Sequence, residues 1–246
     1  MKPRSLAALT LLVSALTVVW LILLLSAELS APSINTLDGQ VTVIENRPTL
    51  FAVTYVNAVL LTLACVAMLA GYTAYFFEDS QLWSAVAAMF VPIYGLINIV
   101  VYMSQVLVVP QLVALYRTSP TAMIGETWLR LALHTWPSSA TGFANVLAYA
   151  ILAIPSIIFG LLLTRRSWAS AVPRRPLACR LGGLLLAISG LLSILALAGI
   201  ITGETILSLM SPASGFVFLL GLLFISAHFL SLPSAISNSS TPALSS

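Results

Sequence analysis

Charge is what this chain has least of. Only 7% of its 246 residues are Asp, Glu, Lys or Arg, against 60% hydrophobic, whereas soluble domains carry about 25% charged residues. With a mean hydropathy of +1.07, the composition excludes an ordinary soluble domain. The ten cations are scattered over loop ends and form no basic face interleaved with aromatics, so a pI of about 9.1 carries no nucleic-acid signature. Cysteine is almost absent. Cys65 lies inside an apolar run and Cys179 at the edge of another, too few and too separated for a disulfide framework or a metal site, and both are expected to be free thiols. There is no H-E-x-x-H, no Cys/His cluster, and no Gly-rich phosphate loop followed by Lys and Ser/Thr. Zinc chemistry and nucleotide hydrolysis are thereby disfavoured, and no metal or cofactor is implied.

What the chain has in abundance is apolar runs of bilayer length, about 20 residues each. They fall at roughly 6–27, 50–77, 83–109, 142–164, 180–201 and 206–231, which predicts an all-α polytopic bundle of six transmembrane helices in a single domain, residues 1–231. The first run exceeds the ~7 to 15 apolar residues of a secretory signal, so an anchor is expected rather than a cleaved leader. The Ser-rich, uncharged end, residues 232–246, is expected to be disordered.

Cation placement sets the expected threading. With the N-terminus inside, Lys2, Arg4, Arg165, Arg166, Arg174, Arg175 and Arg180 lie on the cytoplasmic side and only Arg47, Arg117 and Arg130 outside; five of the seven acids lie outside. Both termini are therefore expected inside, in a prokaryotic cytoplasmic membrane. The arginines of "TRRSWASAVPRRPLACR" (Arg165, Arg166, Arg174, Arg175, Arg180) act first as topology determinants, and anionic lipid headgroups are the other partner such a cluster attracts.

The two outer loops carry local signals. In "TLDGQVTV" the Asp38-Gly39 pair followed by β-branched alternation reads as a short hairpin. "TAMIGETWLRLALHTW", Thr121 to Trp136, sets Glu126, Arg130 and His134 at successive i, i+4 steps opposite Ile124, Trp128, Leu131, Ala132 and Trp136. That pattern predicts an amphipathic helix lying at the outer interface, its polar side either a solvated face or the mouth of a site. Tyr116 and Arg117 read as interface anchors. Gly183, Ala187, Gly190, Gly199 and Gly203 give span five a small-residue face, suited to close helix packing within the chain or to a homo- or hetero-oligomer.

All seventeen charged residues sit in loops or within about a turn of a span end, which disfavours proton-coupled carriers and voltage sensors. Ser214 and His228 share span six but stand fourteen positions apart, about 21 Å along a helix, too far to act as a catalytic pair. The informative polarity is uncharged. In "VPIYGLINIVVYMSQVLVVPQL", Tyr94, Asn98, Tyr102 and Gln105 share an arc of about 80° at 100° per residue. An amide left unpaired in hydrocarbon costs about 4 to 8 kcal/mol, so this stripe must face other helices or water. Asn57 in span two, and Asn145 and Tyr149 in span four, are expected to meet it in the outer half. The cluster is then either a seam of interhelical hydrogen bonds or a partly hydrated pocket for a neutral or lipidic molecule, with the outer helix as its lid. Pro92 and Pro110 are expected to kink or end the third span.

"YMSQVLVVPQL", Tyr102 to Leu112, with "WPSSATGFANVLAYAILA", Trp136 to Ala153, resembles a pattern in uncharacterised multi-span prokaryotic membrane proteins: Tyr and Gln before an apolar Val-Val, an outer loop, then Pro-Ser and a helix bearing Tyr. The resemblance covers about a fifth of the chain and implies the fold and the Tyr102, Gln105 and Tyr149 grouping, with no activity attached. The chain departs from it in the span-four portion, where a glutamate is common but Asn145 and its neighbours are neutral. The sequence thus favours a non-enzymatic binding, sensing or partner-subunit role among membrane lipids. A small carrier for a neutral solute is the alternative, and an intramembrane enzyme the third.

Overall fold

The computed structural model describes residues 2–28, 36–168 and 176–232; the 233–246 tail, Arg174, Arg175 and the side chain of Arg166 lie outside the described set. Among the described residues ten α-helices run in chain order: α1 (Pro3–Glu28), α2 (Leu37–Asn46), α3 (Pro48–Phe76), α4 (Gln81–Leu107), α5 (Val109–Arg117), α6 (Ala122–Ala132), α7 (Ala140–Trp168), α8 (Pro176–Thr202), α9 (Thr205–Ser208) and α10 (Met210–Ser231). Six segments are long and apolar enough to cross a membrane: α1, α3, α4 with α5, α7, α8, and α9 with α10. The chain is an all-α polytopic bundle. Unpaired backbone groups are too costly in lipid, so each apolar run satisfies its own hydrogen bonds as helix.

Each span packs against the next, and α10 returns to α1, so the six close into a ring in chain order. At one end, called here the far face, the ring is filled by Met68, Leu69, Tyr72, Phe76, Phe159 and Phe229, each at most 1% exposed. Tyr72 meets Phe159 at 5.8 Å and Phe229 at 6.1 Å between ring centroids. The α7–α8 contact depends on absent side chains: a Cβ on Gly160 would stand 2.5 Å from the Gly183 carbonyl, and one on Gly190 2.9 Å from the Ala153 carbonyl. The small-residue face of span five at Gly183, Ala187 and Gly190 is therefore occupied by α7. Gly199 packs closely on Leu207 and Ser208, while Gly203 supplies a positive φ of 77° where α8 ends. Cys65 and Cys179 are buried free thiols.

The other end carries a cap built from α2, α5 and α6 around Leu37, Val41, Ile44, Val109, Val113, Leu129 and Leu133. One expectation is corrected here. The Asp-Gly stretch is helix, not hairpin: the Thr36 hydroxyl accepts from the Gly39 amide at 3.1 Å and starts α2, Asp38 sits favourably in the first turn, and Leu37, Val41 and Ile44 bury one side at i, i+4, i+7. The outer amphipathic helix is present and shorter than the Thr121–Trp136 stretch. α6 ends at Ala132 and packs on α5, with Gly125 pressed against the Tyr116 backbone; Ile124, Trp128 and Leu131 remain outward and exposed. Pro110 separates α5 from α4, because it offers no N–H to the preceding turn, whereas Pro92 is carried inside α4.

Arg117 joins two parts of the cap. Its guanidinium donates to Asp38 at 2.6 Å and to Glu45 at 2.8 Å, both on α2, so it is an intramolecular clasp rather than a headgroup anchor.

Candidate functional site

The polar stripe of α4 faces the neighbouring helices α3 and α7, and its members have different fates. Gln105 is fully buried and reaches the connection between α6 and α7. Its Nε2 donates to the Ala132 carbonyl at 2.8 Å, while its Oε1 accepts from the His134 amide at 3.0 Å. One side-chain amide thus satisfies two backbone groups that the end of α6 leaves without helical partners. Thr141, at the start of α7, donates to the same Ala132 carbonyl at 2.8 Å.

One turn deeper, the Tyr102 and Tyr149 hydroxyls meet at 2.9 Å across the α4–α7 seam. Tyr55 lies 6.2 Å from Tyr102 by ring centroid, and His134 stands edge-on to both rings at 5.9 and 6.0 Å. Loss of hydration on burial pushes the His134 imidazole down from 6.5 to about 4, so it is neutral at physiological pH. Gln105 and Thr141 share one carbonyl, and α4 and α7 run antiparallel. Stepping away from the cap therefore brings Asn145 level with Tyr102, and Tyr149 level with Asn98. Tyr94 closes the group, its ring 6.1 Å from that of Tyr149.

Asn98 is 0% exposed and about 14 Å along the axis from the end of α4. Neither Nδ2 nor Oδ1 makes a well-formed hydrogen bond, the Tyr94 hydroxyl one turn along α4 being the polar group within reach of it, and Asn145 Oδ1 is likewise buried and unpartnered. Most buried polar groups are hydrogen-bonded, so Asn98 and, one turn nearer the cap, the Asn145 oxygen are the exceptions on these two helices. The unpartnered groups comprise one donor and two acceptors, with no fixed charge among them.

One expected member of the cluster stands elsewhere. Asn57 is buried, but its Nδ2 donates to the Leu16 carbonyl at 3.2 Å, so it belongs to the α1–α3 seam. Glu126 and Arg130 pair at 2.7 Å on the outer surface of α6, with Arg130 stacked on Trp136. His134 does not continue their line, because α6 has ended and the chain turns it inward against Tyr55 and Tyr102. Arg165 and Arg180 are exposed on the far face. Ser214 makes interhelical contacts to Ser193 at 2.7 Å and to the Ser189 carbonyl at 2.8 Å.

Tyr55, Gln40, Thr135 and Thr141 were not expected in the group. Thr135 donates to Gln40 at 2.9 Å, tying the α6–α7 connection to α2. Only Thr141 had a signal in the sequence, as a polar residue at the start of the fourth apolar run. No family model, curated protein or solved structure matches the chain.

Proposed function

We propose that this chain is a binding protein of a prokaryotic cytoplasmic membrane, with both termini inside, which holds a small neutral molecule at Asn98. The carrying observation is the amide of Asn98, fully buried with both atoms unpartnered. Tyr102 and Gln105 are held by protein groups, so they can be explained by packing alone; Asn98 cannot. A buried amide without a partner destabilises the empty fold by about 1 to 3 kcal/mol, a cost that a bound guest removes. The surrounding lipids meet Leu82, Met89, Leu96, Ile201 and Phe216 on the outside of the ring.

The test is Asn98→Leu in the full chain in lipid nanodiscs. Removing the orphan should raise the stability of the ligand-free protein, and native mass spectrometry should show a neutral molecule retained by the wild type and lost from the variant. A wild type that carries nothing the variant lacks overturns the reading.

A second reading, a small carrier for a neutral solute, draws on a specific feature. Asn98 lies between two aromatic groups, Tyr55, Tyr102 and His134 toward the cap and Tyr72, Phe76, Phe159 and Phe229 toward the far face. A carrier needs closure on both sides of a central site. Solute uptake abolished by Asn98→Leu would select it over binding alone.

A further inference from the structure

The two sides of Asn98 differ. Toward the far face the polar side chains are few and set among sealed apolar ones: the Tyr72 hydroxyl meets Thr10 at 3.1 Å and the Ser84 hydroxyl is buried without a partner, while Met68, Leu69, Phe76, Phe159 and Phe229 are at 0 or 1% exposure. Toward the cap, polar groups follow one another along the α4–α7 seam. They begin with the Tyr102 and Tyr149 hydroxyls and the unpartnered Asn145 Oδ1, continue through Gln105 and Thr141, and end at Thr135, which is exposed. The last barrier on that side is the α6–α7 connection itself. Gln105 holds this strap by its backbone at Ala132 and His134, Thr141 adds a bond to Ala132, and the His134 ring covers Tyr55 and Tyr102. Within the strap Ser138 adopts a φ of 60°, a conformation rare for a residue other than glycine.

Resting on the binding reading above, we infer that residues 133–139 form a gate over the Asn98 site, latched by Gln105, and that the guest is a water-borne neutral solute of the carboxamide or urea class. A carboxamide presents a donor pair and an acceptor, the complement of the free Nδ2 and Oδ1 of Asn98. A lipid would have to part the packed α4–α7 seam, whereas a polar solute finds a hydrogen-bonding group at each step from the cap. Opening requires no unfolding of a span. It replaces the Gln105 bonds to Ala132 and His134 by bonds to water or to the solute, and the same exchange can open the Tyr102–Tyr149 pair.

The experiment uses the full chain in sealed vesicles of one orientation, with Cys65→Ala and Cys179→Ala as background and Asn98→Cys as reporter. Membrane-impermeant methanethiosulfonate is applied to each face in turn, and a long-chain alkyl maleimide is delivered through the bilayer. Labelling is expected from the cap face only. It should be roughly three- to tenfold faster when Gln105→Leu or Gln105→Glu removes the bond to Ala132, the range set by one interhelical hydrogen bond. A short bis-methanethiosulfonate bridging Gln40→Cys and Thr135→Cys, whose native side chains touch at 2.9 Å, should tie the strap down and stop it. Labelling from the far face, labelling by the alkyl maleimide at a rate the bridge does not alter, or no labelling in any variant overturns the gate. Ligand retention by the wild type is measured separately, so a failed gate is distinguishable from a failed binding site.

Discussion

The Tyr102 hydroxyl lies 2.9 Å from the Tyr149 hydroxyl, across the α4–α7 seam that also holds Asn98. Each oxygen is the other's partner, so removing one orphans the other. Tyr102→Phe and Tyr149→Phe are each expected to destabilise the protein by about 0.6 to 1.7 kcal/mol, the range for interhelical bonds in membrane bundles. The double variant should lose less than the sum of the two, because no unpaired hydroxyl remains. Reversible unfolding in mixed micelles gives the three values; strict additivity would mean that the bond contributes nothing.

Arg117 serves two carboxylates and the Thr42 hydroxyl at once, which a single ammonium cannot reproduce. Arg117→Lys should therefore behave more like Arg117→Met than like the wild type. With the guanidinium 38% exposed and Asp38 62% exposed, solvent screening limits the expected loss to about 1 kcal/mol, and added salt should shrink it. The effect is local. Hydrogen exchange of the α2 amides should quicken in both variants while the α7 and α8 amides stay protected.

The spans were legible because lipid imposes a length and a composition that few other structures meet, and the stripe from Tyr94 to Gln105 was legible because its helical arc needs no neighbour to compute. What each stripe residue faces was not. Asn57 and Asn98 have the same type and similar apolar surroundings in sequence, yet one donates to Leu16 on α1 and the other has no partner, a difference set by how α1 and α7 are rotated against α3 and α4. Asp38-Gly39 is a turn signal in sequence, and it is the Thr36 cap together with the burial of Leu37, Val41 and Ile44 that makes the stretch helix. The i, i+4 line through Glu126 and Arg130 does not extend to His134, because the chain leaves the helix at Leu133, a few residues ahead of Pro137.

His134 gives a pH dependence with a definite sign. Its folded pKa is lowered to about 4 from 6.5, so between those values the unfolded chain binds a proton that the folded chain refuses. Stability is then greater above 6.5 and is lost as pH falls through the window toward 4. His134→Phe keeps the backbone N–H that Gln105 accepts and keeps a ring beside Tyr55 and Tyr102. It should flatten the curve between pH 6.5 and 4 while leaving stability at neutral pH within about 1 kcal/mol. An unchanged slope in the variant would place the proton elsewhere.

The contact between α7 and α8 offers the sharpest contrast between two glycines. At Gly160 an added Cβ would stand 2.5 Å from the Gly183 carbonyl and 2.8 Å from the Ala187 nitrogen, both backbone atoms that cannot rotate away; at Gly215 nothing lies within 4 Å. Gly160→Ala must therefore push two spans apart. The expected loss is about 1 to 3 kcal/mol, and because α7 also carries Tyr149 and Asn145, the labelling rate at Asn98→Cys should rise with it. Gly215→Ala, in the second turn of α10, should be neutral or stabilising by about 0.4 to 1 kcal/mol, since it only restricts the unfolded chain. Thermal unfolding of the pair in one detergent reads both effects, and equal shifts for the two would show that α7 and α8 are not seated as closely as the Gly160–Gly183 contact requires.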